Sequence, residues 1–120
     1  MLLAGAFSFV CGCSGGGSSY DKISGAAAKT LMDSESGYII IDARPQSEYD
    51  EGHIPGASLI PYGEIADRAE NELPDTDQLI LVYCRSGRRS KIAAEELVKL
   101  GYTNVKEFGG IIDWEYEIVK

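Results

Sequence analysis

The residues best placed to do chemistry form the run Cys84-Arg85-Ser86-Gly87-Arg88-Arg89-Ser90. A thiol followed by arginines around a glycine pairs a nucleophile with cations able to hold an anion. In front of it, residues 79–83 (Leu-Ile-Leu-Val-Tyr) read as a strand buried on both faces. A parallel strand delivers its last residue to the carboxyl edge of the sheet, where open α/β sheets bind ligands. Behind the loop a helical pattern begins: Ala93, Leu97 and Leu100 share a face, Glu95 and Lys99 form an outward i,i+4 pair, and Gly101 ends the run. The loop therefore feeds a helix N-terminus, whose unpaired N–H groups and aligned peptide dipoles favour thiolate over thiol. Cysteines in such settings reach pKa values of ~3.5–7.5. Cys84 is the expected nucleophile, and Arg85, Ser86, Gly87, Arg88, Arg89 and Ser90 the expected substrate-binding residues. Arg85 and Arg88 are expected to project toward an anionic substrate, whereas Arg89 has two open orientations, toward substrate or toward an internal carboxylate.

The charge balance narrows the ligand. The chain carries 11 Lys+Arg against 19 Asp+Glu, a net charge of −8, yet Arg85, Arg88, Arg89 and Lys91 cluster at this loop. A basic island on an acidic protein suits a small anion and argues against nucleic acid, whose phosphates the remaining surface would repel.

The elements that must position the loop alternate along the chain. Strand-like runs at 38–42, 58–60, 79–83 and 105–108 are interleaved with helical stretches at 24–33, 62–72, 88–100 and 110–119, and residues 20–23 add a short edge strand. Ser24 is a good N-cap, Gly37 a good stop, and Pro74-Asp75 marks the loop before the central strand. This alternation predicts a single α/β domain over residues 20–120, with a mostly parallel sheet of about five strands and helices on both faces. An apolar content of 44% is ordinary for one such core.

Cys84 to Ser90, read as C-R-x-G-x-R-S, resembles the active-site loop of the rhodanese-like family of sulfurtransferases. Other segments agree in order: residues 39–44 (Ile-Ile-Ile-Asp-Ala-Arg) resemble the family's strand ending in Asp-x-Arg. Glu48-Tyr49, residues 52–57 (Gly-His-Ile-Pro-Gly-Ala) and Ile60-Pro61 resemble the helix and turn that follow, and Gly109-Gly110 with Trp114 the start of the closing helix. The resemblance implies a Cys84 persulfide, a thiosulfate-like donor, and a thiol, cyanide or thiol-bearing protein as acceptor, in a monomer without cofactor. It also implies that Asp42 and Arg44 brace the catalytic loop, although as the polar end of a buried strand they could simply pair with each other. Non-enzymatic sulfur-carrier or partner-binding modules, phosphatases and arsenate reductases share the family's architecture. The phosphatase pattern is Cys-x5-Arg, whereas Arg89 stands five positions after Cys84 and Ser90 six.

His53, the only histidine, lies between Gly52 and Ile54-Pro55-Gly56, a turn sequence, and reads as structural rather than as a partner for Cys84. Trp114 reads as core. Three cysteines without CxxC spacing support neither a disulfide framework nor a metal site.

Residues 1–19 are of another kind. An apolar run at 2–10 is too short to span a bilayer, which takes ~20 helical residues, but suits a secretory core of about 7–15. No Lys or Arg precedes it. Val10-Cys11-Gly12-Cys13 resembles a bacterial lipobox with Cys13 as the lipidation candidate, and residues 14–19, all Gly and Ser, would tether the domain to a membrane. The expectation is an extracytoplasmic, membrane-tethered or periplasmic protein, or a cytoplasmic one if the leader is not a signal.

Overall fold

The computed structural model describes residues 19–120. The expectations for the leader and for Cys13 fall outside these residues. Five strands form one sheet: β1 (Asp21–Lys22), β2 (Ile39–Asp42), β3 (Ser58–Leu59), β4 (Ile80–Cys84) and β5 (Val105–Gly110). Their order is β1-β5-β4-β2-β3, and every pairing is parallel. Parallel neighbours need crossovers. These are supplied by α1 (Gly25–Ser34), α2 (Gln46–Glu51), a 3-10 turn (Tyr62–Glu64) running into α3 (Ile65–Glu72), and α4 (Arg88–Lys99).

The side-chain alternation of the strands divides the core. Ile41, Ile80 and Val82 face α3 and α4, where they meet Ile65, Ala69, Ala93, Ala94 and Leu97. Ile40, Leu81, Tyr83 and Phe108 face the other way, toward Ala28 of α1 and the turn carrying Ile54 and Ala57. β4, buried at all five positions, is the central strand that residues 79–83 predict, shifted by one so that Cys84 is its last residue. Ser24 caps α1 as expected, its Oγ accepting from the Ala27 N–H at 3.0 Å.

Two expectations are corrected. Leu100 does not join the buried face of α4; it is exposed, because the helix ends at Lys99 and its inner face is made by Ser90, Ala93, Ala94 and Leu97. The helix expected over 110–119 does not form. Ile111–Asp113 make one 3-10 turn, Trp114 is already extended (φ −77°, ψ 122°), and Val119 exchanges both backbone hydrogen bonds with His53. The reason is legible in the side chains: Trp114, Tyr116 and Ile118 alternate with Glu115 and Glu117, a period of two rather than 3.6. Half-buried Trp114 packs on Phe108 and Tyr116, and its indole N–H donates to the Glu117 carbonyl at 3.0 Å.

Candidate active site

β4 ends at Cys84 and α4 begins at Arg88, so the chain must reverse within three residues. Gly87 makes this possible at φ +115°, a left-handed conformation that other residues adopt only with strain. The reversal turns its N–H onto the sulfur, with Gly87 N to Cys84 Sγ at 3.0 Å. Gly110 is required for a different reason. It lies beside Cys84 in the β4–β5 register, and a Cβ there would overlap the Arg85 carbonyl. The loop thus rests directly on the backbone of β5.

Cys84 is a free thiol with 1% of its surface exposed. Burial alone would push the thiol up. The Ser90 hydroxyl and the N–H groups of Ser90, Gly87 and Ser86 outweigh it and hold the thiol below its ordinary value. The helix terminus is therefore filled by a sulfur that it stabilises as an anion.

The flanking arginines divide into two kinds. Arg85 and Arg88 are exposed at the mouth of the loop. Arg88 shares a cleft with Ser86 and Tyr62, and Arg85 borders another with Arg44, Ile112 and Ile118. Arg89 borders the same cleft as Arg88 but is paired: Nη1 and Nη2 each meet one carboxylate oxygen of Glu48 at 3.0 Å. That pairing holds the Glu48 carboxyl below the usual carboxylate range.

Asp42 and Arg44 are buried and bond chiefly to each other, with Arg44 Nη2 to Asp42 Oδ2 among the contacts at 2.6 Å. Arg44 Nη2 also donates to the Gly52 carbonyl at 2.7 Å, and Tyr83 Oη donates to Asp42 Oδ2 at 2.7 Å. These bonds tie β2 to the Gly52 turn and to β4. They do not reach residues 85–90, so the bracing of the loop expected of this pair is replaced by bracing of the strand end, because the short Asp42 side chain closes on Arg44 two residues away. His53 stacks on Tyr49 with ring centroids 3.7 Å apart, and its Nδ1 lies 2.9 Å from the Tyr49 carbonyl.

Two carboxylates at the site escaped the sequence reading. Glu48 was legible only as part of a motif, and its partner is 41 positions away. Glu107, 1% exposed, lies behind the loop with Oε2 2.6 Å from Ser90 Oγ and 2.8 Å from the Gly109 N–H. A signal for it existed: Glu107 stands two residues after Val105 on β5, and so on the same inward face.

A buried cysteine closing a parallel β4–loop–α4 unit, with backbone donors on its sulfur and cations at its rim, defines a nucleophile–anion site in an α/β protein. The chain belongs to the rhodanese-like domain family, whose family model matches residues 24–117. Among curated relatives, PspE of Escherichia coli, a thiosulfate sulfurtransferase, is 40% identical over 73 residues, covering 61% of this chain and 70% of that protein. YrkF of Bacillus subtilis, described as a candidate sulfur carrier, is 42% identical over 98 residues, covering 81% of this chain. This chain spans 52% of YrkF's length. Among solved structures, a rhodanese with anions from Escherichia coli matches with a TM-score of 0.66 at 37% identity, covering 70% of this chain and 99% of that one. A rhodanese-related protein from Thermoplasma volcanium matches with a TM-score of 0.72 at 29% identity, covering 83% and 98%.

Proposed function

We propose that this chain is a sulfurtransferase that carries sulfane sulfur as a Cys84 persulfide. The Cys84 thiolate attacks the outer sulfur of a donor such as thiosulfate, the S–S bond breaks, and sulfite leaves with its electron pair. The persulfide anion then occupies the N–H cradle until a thiol, cyanide or a thiol-bearing protein takes the outer sulfur. Arg85 and Arg88 attract the donor's sulfonate. The observation that carries this reading is the 3.0 Å approach of the Gly87 N–H to a sulfur already held low by its surroundings. A phosphatase reading is disfavoured by Arg89, whose terminal nitrogens are both engaged by Glu48 and so are not presented to an oxyanion above Cys84. The likeness to YrkF supports a second reading, a carrier that loads sulfur without turning over.

Intact mass measurement after thiosulfate treatment tests the proposal. A gain of one sulfur atom on the wild type, absent from Cys84→Ser and removed by cyanide, is expected. No gain at Cys84 overturns it, and loading without repeated turnover favours the carrier. The reading extends to the leader: Cys13 anchors the domain outside the cytoplasm, and labelled palmitate incorporated by the wild type but not by Cys13→Ala in a bacterial host is the expected result.

A further inference from the structure

Ser90 is fully buried, and its hydroxyl has more partners than protons. Oγ lies 2.6 Å from Glu107 Oε2, 3.2 Å from the Gly87 carbonyl, 3.3 Å from Cys84 Sγ and 3.3 Å from the Gly109 carbonyl. A hydroxyl carries one proton and two lone pairs, and a carbonyl can only accept. With Glu107 ionised, the shortest contact takes that proton, as charge-assisted O–H···O⁻ bonds of ~2.5–2.7 Å do. Ser90 then shows only lone pairs to Cys84, which suits a thiol S–H; the hydroxyl can hold the thiol low only in the arrangement where its proton faces the sulfur. Turning the proton to the sulfur leaves two oxygens facing each other at 2.6 Å with nothing between them. That contact is satisfied only when Glu107 is itself protonated and donates to Ser90. Thiolate and carboxylic acid therefore belong to one arrangement, and thiol and carboxylate to the other.

We propose that Glu107 is the internal proton acceptor for Cys84, reached through the Ser90 hydroxyl. The Sγ–H bond breaks and its proton moves to Ser90 Oγ, while the proton of Ser90 moves to Glu107 Oε2. Thiol and carboxylate become thiolate and carboxylic acid, the total charge is unchanged, and no water is required. A relay of this kind suits a nucleophile with 1% of its surface exposed. Glu107 acts on the reacting sulfur through Ser90 and is a positioning residue in that sense. The charged and titratable groups around the pair are Lys22 on β1, 3.1 Å from Glu107 Oε1, Tyr20 beside it, Glu95 of α4 across Tyr20, and Arg89 of α4 near Cys84, itself paired with Glu48 and near Arg44.

The inference rests on Cys84 being the nucleophile of the proposed function, but its test needs no sulfur donor. In the full chain, the rate of Cys84 modification by iodoacetamide is followed against pH on the tryptic peptide 69–85, and the side-chain carboxyl carbon of Glu107 is followed by NMR, assigned by its loss in Glu107→Gln. Two groups sharing a proton titrate in common steps. Both reporters in the wild type are therefore expected to show the same two midpoints. Separate, single midpoints for the two groups overturn the relay. In Ser90→Ala the shared midpoints should separate, and their persistence would also overturn it. Glu107→Gln keeps an acceptor for the Gly109 N–H but takes no proton; its alkylation profile should collapse to one step, with a change of about tenfold at neutral pH for each unit by which the midpoint moves. A merely structural Glu107 would instead slow alkylation equally at every pH and leave the profile's shape intact. Failure of sulfur loading with shared midpoints would reject the sulfurtransferase and keep the relay; loading with separate midpoints would do the reverse.

Discussion

Arg89 and Glu48 meet through both of their terminal atoms, Nη1 to Oε2 and Nη2 to Oε1, each at 3.0 Å. The pair fastens the first turn of α4, and with it the loop that cradles Cys84, to α2. It also fixes the fate of a cation that the sequence could assign equally well to substrate.

Glu48→Gln should loosen this fastening at small cost. The side chains retain 27% and 17% exposure, so a stability loss of roughly 0.2–1 kcal/mol is expected from urea unfolding. The sign with pH follows from the lowered Glu48 carboxyl. Its contribution is fully present above the unfolded value of about 4.3 and is lost as pH falls through the lower folded value. The difference between wild type and Glu48→Gln should accordingly shrink toward acid pH; a difference that grows there refutes the pairing.

Because the Cys84 thiol is held low, its alkylation should reach a plateau below the ~8.5 midpoint of a free thiol. An overall midpoint at or above that of a small-molecule thiol measured alongside would contradict the cradle.

Gly110→Ala should be worse than its size suggests. The added methyl meets the Arg85 carbonyl and the backbone beside it, which cannot swing aside as a side chain would. The loop must shift, and sulfur loading at Cys84 should fall at least about a hundredfold, as misplacement by an ångström can cost. Gly109→Ala has open space around its Cβ but a φ of +89°, and serves as the comparison for backbone strain alone.

Arg85→Ala with Arg88→Ala should raise KM for thiosulfate more than it lowers kcat for a neutral donor, since both cations are exposed at the mouth and neither bonds the sulfur in the folded protein. Unchanged thiosulfate kinetics in the double variant would remove both from the donor site.

Arg44→Met strands the Asp42 carboxylate, 0% exposed, in the core. Breaking one side of a buried pair costs about 3–5 kcal/mol, to be read from the denaturant midpoint. Protein that remains folded should load sulfur at the wild-type rate, because these two residues hold the Gly52 turn and not the cradle.

The parallel sheet and the cysteine loop were legible because each rests on local signals that agree: an unbroken apolar strand, a glycine-bearing basic turn, then a helical period. The Asp42–Arg44 pair was legible as one of two alternatives, for a strand's polar end brings partners two residues apart together without help from elsewhere. Glu107 was not, since its place two residues after Val105 gives it an inward face but no partner until α4 supplies the Ser90 hydroxyl and the end of β5 the Gly109 N–H. The C-terminal segment was misread because Gly109-Gly110 suggested a helix start, while the period-two alternation after Trp114 pointed to extended chain.

Both margins of the sheet are strands of only two residues, Asp21–Lys22 and Ser58–Leu59. A visiting polypeptide that lined up along either margin would find too few free amides and carbonyls to hold it. On the proposed function, an acceptor protein would be chosen by side chains at the loop mouth, where Arg85 stands beside the exposed Ile112 and Ile118, and would need to carry its thiol on a projection slim enough to reach a sulfur that barely touches solvent.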